Sequence, residues 1–282
     1  MGYSVPEIIF NYGHKFQHLK NASHILPKLI MTLWEAKKSY NSLINNPENN
    51  KKNAEEGLFK NVKEYTSSLG CNQIGFTEVP NNYIFKNKKI LFDKAFVFTI
   101  NMKRDKIKEA FRIKAGKEVW RTYKELGKIV NKIAAYLRNK GYNVQAGPAI
   151  GGEVNYPLLA QKAGLGFIGK NGLLISKDCG PSQRISVVYT DIENIQYTDS
   201  NKTNWVLEFF DTCNRCVREC PANAIFKDTK IFKDGSHQHI DYTKCAVPFS
   251  NNMGCSICIK KCVLFKNDYD QIKKKILQKT KG

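Results

Sequence analysis

The 282-residue chain carries 45 Lys and Arg against 25 Asp and Glu, a formal net charge of +20 with neutral histidines. That length suits one large domain or two small ones. No apolar run is long enough to span a bilayer, and the N-terminal stretch around Pro6 does not read as a signal peptide, so the expected setting is the cytoplasm, with no membrane partner. The positive charge permits an anionic partner such as RNA without requiring one, because lysines and asparagines are spread along the whole chain.

In chain order, 25–36 reads as a helix and 45–53 as a polar linker. Leu58, Val62, Tyr65 and Leu69 recur at helical spacing, and Gly70 stops that helix. Residues 71–79 read as a short strand. The segment 95–100, apolar except for Thr99, reads as a central one. Val119, Tyr123, Leu126, Val130, Ile133 and Leu137 form an amphipathic stripe ended by Gly141. Residues 156–162 read as helix, 173–176 as extended and 185–189 as a strand. This alternation predicts an α/β sheet up to about residue 195.

After residue 205, cysteines dominate. Cys213, Cys216 and Cys220 form C-x2-C-x3-C followed by Pro221; Cys255, Cys258 and Cys262 repeat the spacing, with Cys245 ten residues upstream. The ferredoxin run C-x2-C-x2-C-x3-C-P sends its last cysteine to the other cluster. By that crossover rule Cys220, Cys245, Cys255 and Cys258 make a complete set for a [4Fe–4S] cluster. Cys213, Cys216 and Cys262 make an incomplete one, for a [4Fe–4S] or [3Fe–4S] cluster, because Phe210 stands where a cysteine belongs. Asp211 is the nearest oxygen donor for the gap. The alternative is a zinc site from Cys213, Cys216, Cys255 and Cys258, which leaves three cysteines without a role. Cys71 and Cys179 are expected as buried, non-ligating thiols, and His237 and His239 as surface residues of a polar turn.

Gly164, Gly166 and Gly169 match G-x-G-x-x-G. A dinucleotide fingerprint opens a helix directly after a strand. Here a helix precedes the glycines and an extended segment follows, so that reading fails, as does a P-loop. Two readings remain: a tight turn, or close backbone approach to a flat ligand.

The order of AGLGFIGKNGLLI at 163–175, Gly180-Pro181, VVYTD at 187–191 and the cysteine array resembles the epoxyqueuosine reductases and their relatives, the cobalamin-dependent reductive dehalogenases. The resemblance implies an α/β (α+β) corrinoid-binding domain followed by a ferredoxin-like two-cluster iron–sulfur module. It divides the chain into an N-terminal extension (1–53), a reductase domain (54–200), a cluster domain (201–266) and a basic tail (267–282). It implies that cobalamin lies against Gly164, Gly166, Gly169, Lys170 and Asn171, and that two clusters feed it electrons from a reduced ferredoxin or flavodoxin. The proton donor would be Glu153, which a three-residue shift aligns with the reductases' aspartate, or else Tyr156, since dehalogenases use a tyrosine. The activity implied first is reduction of epoxyqueuosine to queuosine in tRNA. The alternatives are reduction of a small organic substrate, or electron transfer without a corrinoid.

Overall fold

The structure is a computed structural model that describes residues 8, 11–13, 23, 25–198, 204–232, 237–252 and 254–279. Most of 1–24 in the expected N-terminal extension, and the end of the expected basic tail, lie outside them.

Helix α1 (Leu26–Asn41) begins with Pro27 in its first turn, where the missing N–H costs nothing. Helix α2 (Leu58–Ser68) ends before Gly70, whose φ of 92° no β-carbon-bearing residue favours. Strands β1 (Gln73–Glu78) and β2 (Lys94–Asn101) pair, and the long α3 (Ile113–Asn139) follows. After β3 (Val144–Ala146) and α4 (Tyr156–Lys162) come the two-residue strands β4 (Phe167–Ile168) and β5 (Leu174–Ile175), then β6 (Gln183–Thr190).

The main sheet has the order β1-β2-β6-β3, and every pairing is antiparallel. Helix–strand alternation therefore does not produce parallel crossover units here, and the mixed fold is of the α+β kind. Strand β2 is central, as its apolar run predicts: Ala95, Phe96, Val97 and Phe98 are fully buried. On one face, α3 buries Leu126, Val130, Ile133 and Leu137 against Phe76, Phe96 and Phe98. On the other, α4 buries Leu159 and Ala160 against Val97, Val187 and Tyr189.

Helix α1 packs against α3 with its polar side inward. Thr32, Glu35 and Ser39 are buried, while Leu26, Ile30, Leu33 and Trp34 face out. Asn131 holds this seam: its Nδ2 donates to Glu35 Oε2 at 2.9 Å, and its Oδ1 accepts from Ser39 Oγ at 3.0 Å. Gly127 completes it, since a Cβ there would come within 2.9 Å of Glu35 Cβ.

The cysteine region is built from α5 (Asn204–Thr212), α6 (Arg215–Arg218), the hairpin β7 (Ile225–Ile231) with β8 (His237–Ile240), α7 (Tyr242–Asn251), α8 (Ile257–Lys261) and α9 (Tyr269–Lys279). It seats directly on the sheet domain. A Cβ on Gly180 (φ 59°) would come within 2.6 Å of Leu264 O, and one on Gly254 within 3.3 Å of Val119 in α3. The ion pair Lys261 Nζ–Glu219 Oε2 (2.6 Å) ties its two cysteine segments together. Among the described residues no helix is long and apolar enough to cross a membrane.

Candidate active site

The glycine-rich segment forms the β4–β5 hairpin, closed by Gly169 N–H to Leu173 O and Gly172 N–H to Gly169 O. Its glycines meet protein: a Cβ on Gly166 would overlap the carbonyl of Ile175, and one on Gly169 the Ile175 side chain at 2.6 Å. Close packing of the hairpin on itself accounts for both positions. Lys170 Nζ reaches across to Asn214 Oδ1 at 2.9 Å and the Asp211 carbonyl at 3.3 Å, so it links the hairpin to the first cysteine segment.

A cavity of about 250 Å³ opens where the two regions meet. Tyr123 of α3, Tyr156 of α4, Asn171, Arg184 of β6, His239 of β8 and Tyr242 of α7 line it. Of the expected site residues, Tyr156 and Asn171 lie in this wall. Gly166, Gly169 and Lys170 belong to the adjoining hairpin segment and not to the wall, and Gly164 turns the chain at the end of α4, its N–H bonded to Gln161 O. His237 is exposed, as expected, while His239 is half-buried; both belong to a strand and not to a turn. They stand on β8 at the cavity, with His239 Nδ1 3.2 Å from Thr229 Oγ1 and its pKa lowered, first by burial and then by His237. Two adjacent residues in the wall carry buried polar atoms without a protein partner, Gln183 Oε1 and Arg184 Nε. Such atoms are costly unless a ligand satisfies them.

Tyr123 and Arg184 are absent from the sequence-derived site. The Arg184 guanidinium stacks on the Tyr123 ring with its carbon 4.6 Å from the centroid. In the sequence, Tyr123 belongs to the apolar stripe and reads as core. The one available signal was Arg184, a charge in a segment that goes on to a fully buried strand.

Glu153 lies one layer deeper, 2 % exposed. Its Oε2 accepts from the Tyr189 hydroxyl at 3.2 Å, and its Oε1 is buried without a partner. Burial pushes this carboxyl up to about 7, although hydrogen bonds from Tyr189 and Tyr40 and the Lys88 charge pull the other way. The Tyr156 hydroxyl donates to Pro148 O at 3.1 Å in a niche that exists because Gly147 and Gly152 have no side chains: a Cβ on either would collide with it.

The thiols fall into two neighbourhoods. Burial raises Cys258, and Cys245, Cys255, Cys216 and Cys220 raise it further. Cys245 is pushed up to about 12 by burial, then by Cys255 and Cys220. Burial pushes Cys262 up to about 11, with Cys216 and Cys213 adding to it. Cys220, Cys245, Cys255 and Cys258 thus sit together, as do Cys213, Cys216 and Cys262, and Cys216 and Cys258 are where the groups approach. Phe210 packs in the same apolar cluster as Cys213 and Cys262, and the Asp211 side chain is exposed. Cys179 Sγ pairs with Ser176 Oγ at 3.1 Å, and Cys71 belongs to the sheet core. Among the described residues no three His, Cys, Asp or Glu side chains converge on a single-ion site.

No protein-family model matches the chain. It is 31% identical over 192 residues to a tetrachloroethene reductive dehalogenase of Desulfitobacterium hafniense, covering 63% of this chain and 33% of that protein. It is 38% identical over 114 residues to an epoxyqueuosine reductase of Cyclobacterium marinum, covering 36% and 34%. The chain thus spans about a third of the length of the curated relatives it matches. Among solved structures, a catabolic reductive dehalogenase in complex with 3-bromo-4-hydroxybenzoic acid superimposes with a TM-score of 0.70 at 21% identity, over 85% of this chain and 37% of that one. An epoxyqueuosine reductase from Streptococcus thermophilus gives 0.50 at 17%, over 75% and 67%. The two kinds of sequence relative, carried on a shared fold, place the chain in the superfamily that contains the reductive dehalogenases and the epoxyqueuosine reductases.

Proposed function

We propose that the chain is a reductase that uses two iron–sulfur clusters and a corrinoid to remove a leaving group from a small organic molecule. The observation that carries this reading is the Tyr123–Arg184 pair in the wall of a cavity bounded by the cysteine region. The donor chemistry suits the cofactors: seven thiols in two neighbourhoods for the clusters, and unpartnered Gln183 Oε1 and Arg184 Nε beside the space a corrinoid with amide side chains would fill. A reductive dehalogenase structure of this fold suggests a mechanism for B12-dependent dehalogenation in that protein. Bound, the corrinoid supplies low-potential electrons to the substrate, and the clusters replenish them.

The net change is R–X + 2e⁻ + H⁺ → R–H + X⁻. The chain's residues supply what the electrons do not. The Tyr123 hydroxyl gives the proton to carbon, and the Arg184 guanidinium stabilises the phenolate left behind and the departing anion. Hairpin β7–β8, through His239, narrows the cavity and limits water. A small substrate is favoured over tRNA because Tyr123 and Arg184 lie in the wall of a recess between the two regions and not on a flat outer face. The net charge of +20 favours the second reading, reduction of a modified tRNA base, through phosphate contacts.

The test uses protein purified without oxygen, loaded with cobalamin and reduced chemically. Halide release from chlorinated or brominated small molecules, with epoxyqueuosine tRNA left unchanged, is the expected result. Turnover of the tRNA alone overturns the small-molecule reading. Failure to take up any corrinoid leaves an electron carrier.

A further inference from the structure

Strand β2 leads into α3 through a connection that contains one helical turn, Arg104–Ile107. This connection lies on the cysteine region. Ile107 shares an apolar cluster with Cys258, and Ala110 and Ala115 pack with Ile257 and Cys255. Two alanines are a thin cover, so the backbone runs close to the Cys255 thiol. The Cys213 thiol, by contrast, shares its cluster with Trp205, Phe209 and Phe210 of α5. Lys260 Nζ donates to Ala110 O at 3.4 Å and ties the connection to α8. Next to Ala110 stands Phe111, 44% exposed and with φ of 74°. A bulky residue rarely adopts that conformation, and glycine would hold the turn at less cost. Such strain persists where the surface serves a purpose beyond the fold.

The charge around Phe111 is one-sided. Residues 103–117 hold seven Lys or Arg and two acids. Both acids are paired within the segment, Asp105 with Lys106 at 2.8 Å and Glu109 with Arg112 at 3.2 Å. Lys103, Lys108 and Lys114 are exposed beyond those pairs.

We propose that the basic connection 103–117, with Phe111 at its centre, is the docking surface for a small acidic electron-carrier protein, which delivers electrons on the Cys255 side of the cysteine region. The delivery rests on the iron–sulfur reductase reading above; the docking surface can be measured without it.

Each encounter moves one electron. The carrier's redox centre is oxidised, the cluster held with Cys255 is reduced, and no bond or proton changes hands. Two encounters supply the two electrons of the reduction above. Opposite charge steers the carrier to the surface and speeds its association. The exposed ring of Phe111 supplies an apolar anchor among the lysines. RNA would also find the charge and the ring attractive. It would gain nothing from a thin cover over a thiol, whereas electron transfer needs one, because its rate falls steeply with distance. The packing of Ala110 and Ala115 on Cys255 therefore favours an electron carrier.

The test uses the full chain purified without oxygen, and its probe is an acidic plant-type [2Fe–2S] ferredoxin. Stopped-flow absorbance follows reduction of the chain's clusters by the reduced ferredoxin, and calorimetric titration with the oxidised form measures binding. For wild type, both should weaken steeply as salt is raised. Lys108→Glu combined with Lys114→Glu should slow reduction and weaken binding about tenfold or more at low salt. Phe111→Gly relieves the backbone and so keeps the fold, and should weaken binding about fivefold or more. Dithionite needs no docking and should reduce all three proteins at similar rates. Ferredoxin binding and reduction at wild-type levels in both variants, or a wild type indifferent to salt, overturns the proposal. Loss of tRNA binding in the variants with ferredoxin binding unchanged assigns the surface to nucleic acid and also overturns it. Absence of any dithionite-reducible cluster defeats the reductase reading instead, and the titration then decides the docking surface by itself.

Discussion

The Arg184 guanidinium carbon lies 4.6 Å from the centroid of the Tyr123 ring, so a fixed cation sits on the face of the one phenol that α3 presents to the cavity. A cation over an aromatic face holds the ring's orientation and favours negative charge on its oxygen. If Tyr123 gives the proton, Tyr123→Phe should lower turnover by about 10²–10⁴-fold with iron and corrinoid content unchanged. Arg184→Lys keeps the charge but loses the planar stack, and should recover only part of the activity. Steady-state kinetics with cofactor analysis check this, and a Tyr123→Phe protein of normal activity removes Tyr123 from the reaction.

The two thiol neighbourhoods should behave unequally. Cys245, Cys255, Cys258 and Cys220 offer four thiolates, whereas Cys213, Cys216 and Cys262 share their surroundings with Phe210. Oxygen should therefore damage the second cluster first, seen as early growth of a [3Fe–4S] signal in electron paramagnetic resonance. Cys245→Ser should remove the other signal. Two clusters decaying together, with equal spectra, contradict the assignment.

Much of the fold is legible in sequence because its signals are local. The apolar run at 95–100 becomes the buried β2, and Gly70 and Gly141, both at positive φ, follow the helices they were expected to stop. The antiparallel pairing was not legible, because helix–strand alternation is the same in either topology until the partners of β6 are known. Tyr123 shows a related limit. A half-buried tyrosine in an apolar stripe looks the same whether its neighbour is a leucine or an arginine from a strand far along the chain. The His237 and His239 positions depend on how β8 lies over the cavity, and polar composition at a turn does not encode that.

The glycines of the hairpin give a separate prediction. Gly166 has φ of 156°, and a side chain there would run into the Ile175 carbonyl. Gly166→Val should cost about 1–3 kcal/mol through overpacking and backbone strain. Because the hairpin carries Lys170 onto the first cysteine segment, its loosening should also lower iron content. Thermal unfolding and iron analysis check both effects. A variant of wild-type stability that lacks only corrinoid affinity would show that the glycine serves the ligand alone.

Glu153 makes stability depend on pH with a definite sign. Its carboxyl titrates at about 7 in the folded chain against 4.5 for the unperturbed group, and burial is the main cause. Below about pH 4.5 both folded and unfolded chains hold the proton, and the group imposes no penalty. Between the two values only the folded chain keeps it, so stability falls as pH rises, by about 1.4 kcal/mol per unit at most. Above about 7 the folded chain must bury a carboxylate, and the loss reaches about 3 kcal/mol. Glu153→Gln carries no titrating group, so it should be close to wild type at low pH and progressively more stable than wild type toward neutrality. Denaturant titrations of the two proteins across this range measure the difference directly. Curves that stay parallel from acid to neutral pH would mean that folding leaves the Glu153 pKa unshifted, with burial offset by the groups around the carboxyl.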